Sequence, residues 1–90
     1  MNKTESPWDF ERIRLIKSKY EAVLLRKANV VSVGIGLPIR GGKPVAEPGI
    51  VVGVSRKCSA NELSPEDLIP HRVEDVRVWV EEVGPLQAQT

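Results

Sequence analysis

The 90-residue chain contains one thiol, Cys58, and one imidazole, His71, so these two are the only pair able to act as nucleophile and base. They lie on one short proline-containing stretch, with no third group marked out to orient the base. The reading is therefore a small buried cysteine and an exposed loop histidine, and no enzyme. His, Cys and carboxylates nowhere fall at metal-ligand spacing, which predicts neither metal nor cofactor. The glycines produce two partial matches. Gly34-Ile35-Gly36 would need glycine at position 39 for a dinucleotide fingerprint, and Ile39 stands there. Gly42-Lys43 resembles the end of a phosphate loop, but Leu37 occupies the place of its first glycine and Pro44 that of the magnesium-binding hydroxyl. Glu81 and Glu82 are neighbours on a strand pattern and point to opposite faces, so they form no catalytic carboxylate pair.

A chain this short buries only about 60–65% of the surface its unfolded form exposes, which leaves room for one helical layer on one small sheet. Hydrophobic residues make up 41% and charged residues 28%, an ordinary globular balance. The net charge is +1, but its distribution is uneven: +3 over residues 1–27, +3 over 28–60 and −5 over 61–90. A basic front and an acidic tail can lie against each other within one molecule or between two copies. A single cysteine excludes an internal disulfide and suits a reducing cytoplasm. The N-terminus lacks an apolar signal core, and the apolar runs are far shorter than the ~18–20 residues of a membrane span.

The elements follow from the periodicity. Phe10, Ile13, Ile16, Tyr20, Val23 and Leu24 recur at helical steps after Ser6-Pro7, predicting a helix from about Pro7 to Lys27. From Val30 to Leu37 the period changes to two: Val31, Val33, Ile35 and Leu37 share one face, and Val30, Ser32, Gly34 and Gly36 the other. Ile50 to Arg56 repeats the scheme, with Ile50, Val52 and Val54 opposed to Val51, Gly53 and Ser55. Gly41-Gly42 supplies the two-residue turn between them, because tight hairpin turns need positive φ. Counting outward from it pairs Arg40 with Lys43, Val33 with Ile50 and Val31 with Val52. Pro38, Pro44 and Pro48 should loosen the distal half, so that the tip projects from the body. Residues 57–72 read as a crossover with two short helical starts, Ser59 with Glu62 and Ser64-Pro65-Glu66-Asp67. A third strand follows over 73–83, with Val76, Val78 and Val80 alternating against Arg77, Trp79 and Glu81.

The expected fold is α+β: a two-layer sandwich of the long N-terminal helix on a three-stranded sheet, in the order helix, strand, strand, short helix, strand. Crossover rules place the third strand beside the first, parallel to the second, with the first strand central. One domain spans residues 1–84, and residues 85–90 form a disordered tail.

That architecture leaves one sheet face without a layer of its own, bearing Ser32, Gly34, Gly36, Gly53 and Ser55 beside Arg77 and Trp79. Small residues let another backbone approach closely, and Trp with Arg is interface composition. The sequence thus points to a non-enzymatic protein–protein contact module, with a homodimer its simplest form. In the alternative arrangement Trp79 lies down over the glycines and covers them. A second function class is nucleic-acid binding through Arg12, Arg14, Lys17, Lys19, Arg26 and Lys27 on the helix and Arg40 and Lys43 at the hairpin tip. It lacks paired aromatics for stacking bases, and the acidic last third opposes a wide positive surface.

Asn29-Val30-Val31-Ser32-Val33-Gly34-Ile35-Gly36, Arg40-Gly41-Gly42-Lys43-Pro44, Ile50-Val51-Val52, Ile69-Pro70 and Val76 to Gly84, in that order, resemble a small segment found ahead of bacterial trypsin-like peptidase domains. The similarity covers roughly residues 20–84. In such proteins the catalytic triad lies in the following domain, so the resemblance places no catalytic residue here. It implies an accessory or pro-domain-like module.

Overall fold

The computed structural model describes residues 8–83, so the Ser6-Pro7 helix start and the expected tail lie outside the described residues. The chain is α+β, with one helix packed on a mixed sheet. Helix α1 spans Phe10–Leu25. Its cap is Asp9, whose carboxylate accepts the Arg12 backbone N–H at 3.1 Å. An acidic oxygen directly before the first turn satisfies an otherwise orphaned donor there, which favours a helix start at Phe10. Ile13, Ile16 and Leu24 are buried and Tyr20 packs against them, whereas Phe10 and Val23, expected on the same face, are exposed. The helix ends at Leu25 with Arg26 as its cap, and the chain then turns into the sheet through Asn29 at a left-handed φ of 70°.

Strand β1 (Val30–Gly36) pairs antiparallel with β4 (Gly49–Val54). Between them a two-stranded ribbon, β2 (Ile39–Arg40) and β3 (Lys43–Pro44), closes through Gly41-Gly42, both at positive φ. The expected Arg40–Lys43 pair forms. Further down, the register differs by two: Val33 faces Val52 and Ile35 faces Ile50. The cause is the unequal arms that join ribbon to sheet, Leu37-Pro38 on one side and Val45 to Pro48 on the other. A shift of two leaves every side chain on its face, so the predicted core survives it. Val31 is the exception. A bulge between Val30 and Ser32 turns Val30 toward the core and leaves Val31 exposed.

Two 3₁₀ turns, Ala60–Glu62 and Pro65–Asp67, fall at the two predicted starts. They lead into β5 (Arg72–Val73) and β6 (Val76–Glu82). The sheet order is β1-β4-β6-β5, with β6 parallel to β4. This corrects the expected three-stranded sheet with the first strand central: β4 is central, and β5 adds a fourth strand. Ile50 and Val52 on β4 have no exposed surface, and its sequence is an unbroken apolar run, which belongs between neighbours. The alternating β1, with polar and small residues on one side, takes the edge. Strand β5 was hidden because its turn to β6 is Glu74-Asp75, with Glu74 at φ 55° and no glycine to mark it. The core joins Ile13, Ile16 and Leu24 to Ile50, Val52, Val54, Val73, Val76 and Val78. No helix among the described residues is long and apolar enough to cross a membrane.

Candidate functional site

Strand pairing arranges the sheet face away from α1 in three rows: Gly36–Gly49–Arg77, Gly34–Val51–Trp79 and Ser32–Gly53–Glu81. Of the predicted interface residues, Ser32, Gly34, Gly36, Gly53, Arg77 and Trp79 therefore share one surface. Ser55 lies one residue beyond β4 and belongs to none of these rows; its N–H donates to the Asn29 carbonyl at 2.8 Å. Val51 and Glu81 belong to the face as well. Their even spacing from Gly53 and Trp79 was the available signal.

The face is half covered. Trp79 is partly buried and its Nε1–H donates to the Glu47 carbonyl at 3.0 Å. The Arg77 guanidinium stacks 4.1 Å from the ring centroid and that of Arg40 lies 5.7 Å from it. Such contacts are worth about 0.5–1 kcal/mol each at partly exposed sites. Arg40 also donates to the Val80 carbonyl at 2.6 Å and sits 3.9 Å from a Glu81 carboxylate oxygen. Even-numbered residues of β6 direct their backbone groups away from β4, as the Val78 N–H bond to His71 shows. Arg40 thus reaches past Trp79 to the outer edge of β6. The ribbon itself pairs only with itself and all four of its strand residues are exposed, so it stands off the sheet as the prolines suggested, and the Arg40 side chain alone reaches back.

The β1 half stays open. A Cβ built on Gly34 meets nothing within 4 Å, and a shallow groove of about 370 Å³ runs along Ser32, Gly34, Gly36, Leu37 and Pro38. Beyond it is the outer edge of β1. Apart from the bond from the Val30 N–H to Lys27, no backbone hydrogen bond among the described residues joins β1 to anything but β4 and its turns. Its seven residues carry no charge and no proline, two of the devices that blunt such an edge; a third, the bulge, is confined to its Val30 end. Val31, Leu37 and Ile39, at 39%, 43% and 60% exposure, add apolar surface beside it.

The cations named for nucleic acid are mostly committed to acids of the same chain. Arg12 binds Asp75 at 2.8 Å and Lys19 binds Glu74 at 2.6 Å, tying α1 to the β5–β6 turn. Arg14 pairs with Glu11, Lys17 with Glu21 at 2.9 Å, and Arg40 with Glu81. Arg26, Lys27 and Lys43 have no acidic side-chain partner among the described residues; Lys27 Nζ donates instead to the Glu66 carbonyl at 2.6 Å. Lys19, with help from the Tyr20 hydroxyl and Arg12, holds the Glu74 carboxyl below the usual range, and Arg12 does the same to Asp75.

Cys58 and His71 line one groove together with Asn29. No hydrogen bond joins them among the described residues; the Cys58 sulfur instead accepts from Asn29 Nδ2 at 3.3 Å. Among the described residues no group of three or more His, Cys, Asp or Glu could hold a metal ion. No protein-family model matches the chain, and no curated protein matches it.

Proposed function

We propose that this chain is a non-enzymatic accessory module that works by protein–protein contact and associates with a second copy through the outer edge of β1. The observation that carries the reading is that uncharged seven-residue edge, bordered by the open Ser32–Gly34–Gly36 face. Two β1 edges meeting antiparallel around a twofold axis would satisfy each other's outward N–H and C=O groups and continue the sheet across both subunits. The small residues let the partner's side chains lie flat beside the join. The half already covered by Trp79, Arg77 and Arg40 forms the rim of the contact. A bacterial cytoplasm fits the single thiol.

Light scattering on the purified chain tests this. The wild type should show a mass twice that of the 10.0 kDa monomer, and Gly34→Glu should return it to the monomer. Gly34→Glu is the clean probe because its Cβ enters open space. Trp79→Glu would also break the Glu47 bond and the two cation contacts. A monomeric wild type across the accessible concentration range would overturn the self-association reading.

A further inference from the structure

A groove of about 700 Å³ that Cys58 lines lies between the end of α1 and the crossover. On one side are Ala28 and Asn29, just after α1; on the other are Arg56 to Cys58, Leu63 and Leu68 to His71 of the crossover; Val80 of β6 completes the lining. Two ties hold the walls together: Lys27 Nζ donates to the Glu66 carbonyl at 2.6 Å, and the Ala28 N–H to an Asp67 carboxylate oxygen at 3.0 Å. The groove is thus preformed, and its size lies within the range of small-molecule sites.

Its chemistry is one-sided. Leu63, Leu68, Ile69, Pro70 and Val80 make the lining apolar, and Leu68 remains 40% exposed. Arg56 and Lys57 stand at the rim, and no carboxylate side chain lines the groove. Neither cation forms an ion pair among the described residues, a state they share with Arg26, Lys27, Lys43 and Arg77, but only these two line the groove. A preformed apolar trough flanked by two uncompensated cations complements a molecule with an apolar body and an anionic head.

We propose that this groove binds a free amphipathic anion of medium chain length, its apolar body on Leu68, Ile69 and Val80 and its carboxylate-type head toward Arg56 and Lys57. Cys58, the only cysteine in the chain, supplies the reporter. The probe is decanoate, titrated below its micelle-forming concentration while the alkylation of Cys58 by iodoacetamide is followed. Decanoate should protect the thiol with a saturable single-site midpoint, and decyltrimethylammonium should not. Arg56→Glu with Lys57→Glu should raise the midpoint about tenfold, since reversing two exposed charges replaces two weak attractions by two repulsions. Arg14→Glu with Lys43→Glu makes the same change in net charge elsewhere and should leave the midpoint where it was. Leu68→Asp, a change at an exposed position that the fold tolerates, should raise it as well. Absence of saturable protection, equal protection by the cationic amphiphile, or an equal effect of the two charge reversals would each overturn the assignment.

Discussion

Two glycine-to-alanine substitutions on neighbouring strands should have opposite outcomes. On Gly49 an added Cβ would lie 2.9 Å from the Arg77 carbonyl carbon and nearer still to its oxygen. Both are backbone atoms of the paired strand, so no side-chain rotation relieves the contact. Carbon atoms pack at about 3.5–4.0 Å, so β4 and β6 would have to part by roughly 0.6–1 Å at that rung. Overpacking of this kind costs about 1–3 kcal/mol, and weakening one or two ladder hydrogen bonds adds about 1 kcal/mol each. Loss of unfolded-state freedom returns about 0.4–1 kcal/mol. The net expectation is a loss of about 2–4 kcal/mol, roughly 10–25 °C in Tm for a domain this size. On Gly34 the same methyl meets nothing within 4 Å, and neither glycine has positive φ. Gly34→Ala should therefore be neutral or raise stability by up to about 1 kcal/mol. Thermal and urea unfolding followed by circular dichroism, at one low protein concentration, reads both. Melting temperatures within about 2 °C of each other would refute the parallel β4–β6 register on which the site geometry rests.

Leu24→Ala, at a side chain only 1% exposed, should cost about 2–5 kcal/mol with an unchanged urea m-value; a loss below 1 kcal/mol would contradict the helix-on-sheet core. In acid, the depressed carboxyls of Glu74 and Asp75 set the direction. A group whose folded pKa is lowered contributes stability above its unfolded pKa and loses it as pH falls through the folded value, so the melting temperature should fall below about pH 4. Glu74→Gln with Asp75→Asn should flatten that acid limb, and an identical limb in the double variant would remove the Arg12 and Lys19 ties as its source.

What the sequence made legible is local. The helix, the Gly41-Gly42 turn, the two hairpin strands and the two Ser-led turns of the crossover depend on neighbours in the chain, and each is found, with the β1 alternation broken at Val31 and the helix face narrower than read. The face assignment survived the register error because the two pairings differ by an even number. What stayed hidden depends on distance. Arg40 meets Val80 forty residues away, and nothing near either residue announces it. The central place of β4 was readable in principle from its unbroken apolar run against the alternation of β1, but crossover rules leave both orders open. The Val31 bulge and the Glu74-Asp75 turn use non-glycine residues where glycine is the usual signal. The Cys58 groove exists only because the crossover is tied to the end of α1 by Lys27 and Ala28, contacts across thirty-nine residues.

Amide hydrogen exchange of Val30 to Gly36 as a function of protein concentration tests the association of β1 most directly. Pairing of two edges gives the outward amides of β1 a hydrogen-bond partner that the monomer does not offer, so their exchange should slow as concentration rises, and Gly34→Glu should abolish the slowing. Outward amides that exchange equally fast at every concentration, in the wild type and in the variant alike, would contradict it.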